Sequence, residues 1–238
     1  DLGNASVGNN VRIIVVTLSF YACPSGHFFV YKEDNMYLGQ KITVKVLAEI
    51  AIFAAIAFAL DYIQGAFSSG IFVNGGSIGI AMLPILIISF RRGLIPGLIC
   101  GFVVSVVQLI GGSIYILNGL QFILDYLVAY TVVGFAGLFA GLYKKADKLS
   151  TQILWIVVGS FVGGALKFLS HFAAGYFWLY EGEFWGMSTN SMLYSFVYNI
   201  AYCGPNIILT TVLMFIVAKF YPAILNKNNE SIEDVKEA

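Results

Sequence analysis

The sequence predicts an all-α integral membrane protein, a bundle of six transmembrane helices with both termini cytoplasmic. Three observations predict it: a composition too apolar for water, six long apolar runs, and basic residues confined to alternate loops. The 238 residues are 59% hydrophobic and only 11% charged, with a mean hydropathy of +0.84. A soluble domain carries about 25% charged residues, so this surface is built for lipid. The net charge is zero, which removes the basic footprint of a nucleic-acid binder. Cys23, Cys100 and Cys203 lie far apart, without the spacing of a metal or redox site. They read as small apolar side chains.

A helix crosses a bilayer with about 20 mostly apolar residues, and six segments qualify. They run over about 44–64, 72–90, 94–112, 121–143, 152–178 and 191–218, the second being weaker at its Gly-rich start. No stretch sustains the alternation of a membrane barrel. Residues 1–35 stand apart. Their apolar patch "RIIVVTLSFYACPSGHFF" is short and broken by Pro24 and Gly26. It reads either as a signal peptide or as sequence upstream of a true start at Met36, and the second reading is preferred. The expected organisation is an extension over 1–35, a membrane domain over 36–222 and a charged cytoplasmic tail over 223–238.

Orientation follows from charge. Lys41 and Lys45 precede the first span, and Arg91 and Arg92 follow the second. Lys144, Lys145 and Lys148 follow the fourth, and Lys219 and Lys227 follow the sixth. The loops near 65–71, 113–120 and 179–190 contain no Lys or Arg. Basic loops stay in the cytoplasm, so these three loops face out.

With that topology, polar residues on separate spans reach one depth. The outward-running fifth span carries Lys167 and His171 four residues apart, on one helix face. Gly175 continues that face, and Trp178 follows. The fourth span places Gln121, Asp125 and Tyr126 in its outer half. The sixth places Tyr194, Tyr198 and Asn199 there, and "NGGSIG" (74–79) opens the second span at the same level. An ionisable group in the bilayer costs about 2.5–3.5 kcal/mol on the translocon scale, and such groups mark functional cavities. Each residue alone has a plainer reading: an Asp125–Lys167 ion pair holding helices together, tyrosines of an aromatic belt, or a core imidazole. The shared depth on three helices favours a binding cavity.

A carboxylate, an imidazole, an amide and aromatic faces suit a flat, partly cationic heterocycle. The residues do not form a nucleophile–base set, a metal cluster or a phosphate loop. The reading is therefore a binding or transport protein, neither an enzyme nor a metal or cofactor protein.

From Met36 to 222 the chain resembles the thiamine-specific substrate-binding (S) components of energy-coupling factor (ECF) vitamin importers. The resemblance rests on "LAEIAIFAAIAFAL", "GGSIGIAMLPILIISFRRG", "LQFILDYLVAY", "LKFLSHFAAGYFW" and "LYSFVYN" taken in order. It implies a thiamine site made by Asp125, Tyr126, Lys167, His171, Gly175, Trp178, Tyr194 and Asn199. Asp125 stands where the family has a longer Glu. Gly75 stands where it has a stacking aromatic, so that wall is missing or is supplied by Phe72 or Trp185. The resemblance further implies partners, a membrane coupling protein and two cytoplasmic ATPases, with docking on the small residues Ala51 and Ala55. It places the chain in a prokaryotic plasma membrane. Two rivals stay open: an S component for a pyrimidine precursor of thiamine, and a stand-alone transporter with an Asp125–Lys167 proton relay. The second lacks the internal repeat such transporters usually show.

The loop charges make one expectation directly measurable. Single cysteines placed in 113–120 or 179–190, in a cysteine-free background, should react with an impermeant thiol reagent on intact cells. Reaction only after the cells are opened would invert the topology.

Overall fold

The computed structural model describes residues 42–68, 70–72, 75–111, 116, 119–178, 182–184, 187–189 and 191–225, with the backbone alone for Gly111, Trp178, the two short strands and Ser191. The expectations for residues 1–35 and for the tail beyond 225 lie outside this range. Among the described residues six helices form: α1 (Val44–Ser68), α2 (Met82–Arg92), α3 (Leu94–Gly111), α4 (Gly119–Lys145), α5 (Leu149–Trp178) and α6 (Ser191–Phe220). A short 3₁₀ turn, Pro222–Leu225, follows α6. Four of the helices, α1, α4, α5 and α6, are long and apolar enough to cross a membrane, and α3 is a shorter apolar helix. Between α5 and α6 the chain makes an antiparallel hairpin, β1 (Gly182–Phe184) with β2 (Met187–Thr189), where the sequence suggests only a loop.

The second span differs most from expectation. The sequence suggests a helix from about 72, but α2 begins at Met82 and has 11 residues. At 1.5 Å per residue it covers about 16 Å, roughly half the hydrocarbon core. The described residues before it are non-helical, and Gly75 and Gly76 adopt positive φ of 91° and 100°, where a side chain is strained. Bare backbone at membrane depth requires partners inside the protein, and side chains of α1 and α6 supply them. Gln64 accepts the Ala81 amide at 3.2 Å and donates to Ser77 Oγ at 2.8 Å. Ser68 Oγ accepts the Ile78 amide at 3.1 Å. Asn206 grips both sides of Ile78, accepting the Gly79 amide at 2.7 Å and donating to the Ser77 carbonyl at 2.8 Å. Tyr198 Oη donates to the Gly75 carbonyl at 2.8 Å.

The short α2 is buried on every side: Ile85, Leu86, Ile88 and Phe90 have no exposed surface. A helix that is apolar all round belongs in the centre of a bundle, and α2 packs against α1, α3, α4 and α6. It leaves through Gly93, whose φ of 95° and amide bond to the Ser89 carbonyl turn the chain straight into α3. Arg91 and Arg92 then fork onto one carboxylate, Glu49 of α1, at 2.6–3.1 Å. Arg91 also donates to the Ala223 and Ile224 carbonyls. The positive-inside residues thus tie α1, α2 and the C-terminal turn together at the cytoplasmic end.

Helices α3 and α4 meet backbone to backbone. A Cβ on Gly101 would strike the Tyr130 carbonyl oxygen, and one on Gly134 the Leu98 amide. Small residues permit such approach in lipid, where dispersion replaces the hydrophobic effect as the packing force. Gly101→Ala and Gly134→Ala should each lower the unfolding temperature of the detergent-purified protein, since overpacking against rigid backbone costs about 1–3 kcal/mol. Gly65→Ala is the matched control, because a Cβ there meets nothing within 4 Å. Indistinguishable unfolding temperatures across the three variants would show that the α3–α4 contact is not tight.

Candidate binding site

The outer half of α4 winds irregularly. Ile123–Val128 is a π-helical stretch, a local widening often found at functional sites. Its Leu124 and Leu127 carbonyls also take side-chain donors: Ser170 of α5 bonds Leu124 at 2.6 Å, and Ser105 of α3 and Thr131 bond Leu127 at 3.2 and 2.6 Å. This stretch carries Asp125 and Tyr126. The Asp125 carboxylate lies 2.8 Å from His171 Nδ1 and accepts from Gln121 Nε2 at 2.8 Å. The pair joins α4 to α5. Asp125 keeps a quarter of its side chain exposed, so it remains available to a ligand.

Asn199 is held more completely than the sequence suggests. Its Nδ2 donates to the Ser195 carbonyl at 2.8 Å, to Ser195 Oγ at 3.1 Å and to the His171 carbonyl at 3.3 Å. Its Oδ1 accepts from Tyr202 at 2.6 Å. The amide is therefore a clamp between α5 and α6 with one acceptor position left on Oδ1. Gly175 belongs to the same contact: a Cβ there would strike Ser195 Oγ. Tyr194 stacks on Tyr198 at 5.7 Å, and the Tyr202 ring meets His171 edge-on at 5.8 Å. Phe72, a candidate wall, is buried edge-on against Tyr198 and Tyr202 at 5.8 and 5.5 Å. Tyr126 sits beside Phe122. The side chain of Trp178 and all of Trp185 lie outside the described residues.

Lys167 departs from the simplest expectation. Among the described residues Asp125 is paired with His171, and Lys167 is not joined to it. Lys167 is 4% exposed, and its Nζ lies 3.7 Å from the centroid of the Tyr130 ring. Tyr130 in turn donates to Asp61, which also accepts from Gln108 and, at 2.9 Å, from Gln64. Sequence reasoning missed this deeper network. Its signal was Asp61 itself, an acid in the last turn of the first apolar run.

The polar side chains therefore form two groups. The outer group holds Gln121, Asp125, His171, Asn199 and Tyr202. The inner group starts one turn further along α4 and α5, at Tyr130 and Lys167, and adds Asp61, Gln64 and Gln108. Comparison with known proteins supplies the family. Residues 47–226 match the model of the thiamine transporter protein family (Thia_YuaJ). This chain belongs to that family. The thiamine transporter ThiT of Bacillus subtilis is 34% identical over 185 residues, 76% of this chain and 94% of that one. The ThiT of Lacticaseibacillus paracasei is 36% identical over 181 residues, 72% and 84% of the two chains. A solved structure of ThiT from Listeria monocytogenes superposes with a TM-score of 0.64 at 27% identity, covering 76% of this chain and 97% of that one. The thiamine transporter family is one of transport proteins rather than enzymes, and the chain is a multi-pass membrane protein of bacterial type.

Proposed function

We propose that the chain is the S component of an ECF-type importer and captures thiamine from outside in the site formed by these two groups. One observation carries the reading: Asp125 and His171 from different helices are paired at one depth, with aromatic faces around them, in a member of the thiamine transporter family. The Asp125 carboxylate answers the fixed positive charge of thiamine. His171 and Asn199 Oδ1 are placed for ring nitrogens and amino groups, and Tyr126, Tyr194 and Trp178 are the aromatic contacts. Gly175 keeps α5 and α6 close enough to align them. Lys167 reaches the site from below.

Energy enters from partners. An ECF membrane coupling protein with two ATPase subunits would engage α1, on which Ala51 and Ala55 are exposed one turn apart. Such small residues let a partner helix approach closely in lipid. A proton relay through an Asp125–Lys167 pair fits less well, since Asp125 is engaged by His171 and Gln121 and Lys167 by Tyr130. A pyrimidine precursor is the second reading. It is favoured by Gly75, which has open space where the family has an aromatic.

Asp125→Asn keeps shape and removes charge. Losing one partner of a desolvated charge pair costs about 2–5 kcal/mol, so thiamine affinity should fall roughly 30-fold or more. Asp125→Glu should be far milder. Titrating both variants with thiamine and with its neutral pyrimidine half, by Trp fluorescence, separates the roles. A larger loss for thiamine assigns Asp125 to the cationic ring, and equal losses assign it to the pyrimidine. Unchanged affinity for both would remove Asp125 from the site.

Coupling is tested apart from binding. Ala51→Trp or Ala55→Trp should abolish uptake by cells while leaving thiamine binding by the isolated protein intact. Uptake that survives both substitutions would show that this face of α1 is not the docking surface.

A further inference from the structure

We propose that Asp61 is the internal counter-ion of Lys167 and the residue that positions it in the site, joining the site's floor to the non-helical segment before α2. Lys167 is the buried lysine of α5, 4% exposed at membrane depth. A charge so placed needs a partner. What faces it is the Tyr130 ring, 3.7 Å from Nζ, and the hydroxyl of that ring donates to the Asp61 carboxylate beyond. A ring face attracts a cation, and a phenol that donates its hydrogen to a carboxylate is polarised further in that sense.

The donor set fits an ionised Asp61. Its two oxygens accept from Gln64 Nε2, from the Tyr130 hydroxyl and from Gln108 Nε2. The donors come from α1, α3 and α4, and the cation from α5. Gln64 adds the other link: the amide that donates to Asp61 also donates to Ser77, and its oxygen accepts the Ala81 amide. Moving Lys167 against Asp61 therefore bears on the segment over α2. The functional half of this assignment rests on the thiamine-site reading, while the counter-ion half does not.

The test is a double-mutant cycle on the full chain in detergent, read by unfolding temperature without ligand and by thiamine affinity. Asp61→Asn should lower the unfolding temperature, because it leaves a buried ammonium uncompensated. Its thiamine affinity should fall at least tenfold as Lys167 loses its setting. Lys167→Met added to Asp61→Asn should restore most of the unfolding temperature and none of the affinity. Asp61→Asn protein that fails to fold, with a double variant that folds, supports the counter-ion equally. Additive losses, a double variant that also fails to fold, or Asp61→Asn protein as stable as wild type would overturn the assignment. Wild-type protein that binds no thiamine, with the stability cycle still coupled, would remove the thiamine reading and the functional half and leave the counter-ion standing.

Discussion

Every peptide group inside a bilayer must be hydrogen-bonded by the protein, and the segment ahead of α2 is where this chain meets that constraint without a helix. Polar side chains from two helices take over the work of helical carbonyls and amides. Gln64 and Ser68 reach from α1, and Asn206 reaches from α6 just past Pro205. An unsatisfied backbone group would cost several kcal/mol in hydrocarbon. These polar residues, scattered and inconspicuous in the sequence, are therefore structural requirements. The described residues of the second span's outer half are non-helical, and polar side chains of α6 reach them there.

The rest of the bundle is closely packed around this segment. Below it α2 is packed on all sides, and at the cytoplasmic end Glu49 takes both arginines. Beside it, glycines bring α3 against α4, and Gly175 brings α5 against α6 at Ser195. The π-helical stretch that widens α4 at Asp125 is stitched by Ser170 of α5 and Ser105 of α3, so the carboxylate is presented by a helix that its neighbours have fixed.

Charge is distributed over two groups for a reason of energy. An isolated charge in the membrane costs several kcal/mol, and a compensated one much less. The outer acid has an imidazole and an amide as partners and keeps part of its surface open. The inner lysine has a ring face and, through its phenol, an acid. A cationic ligand reaching the outer group would meet a carboxylate already oriented, so little side-chain freedom remains to be lost on binding.

Helix number was legible in the chain alone, because apolar length is a local property. The family was legible too, since the runs around Asp125, His171 and Asn199 are contiguous. The pairing of side chains came from packing. The spacing Lys167-x-x-x-His171 shows a shared face but not that Asp125 sits with His171 while Lys167 turns to Tyr130. Nor could local pattern reveal that the second span unwinds. "IFVNGGSIGIAMLPILIISF" is apolar enough to read as one helix. The described part of its first half stays non-helical because Gln64, Ser68 and Asn206, from 10 to 129 residues away, bond its backbone. Asp61 was visible as an acid in an apolar run. Its meaning depends on three helices arriving at one carboxylate, which only packing can arrange.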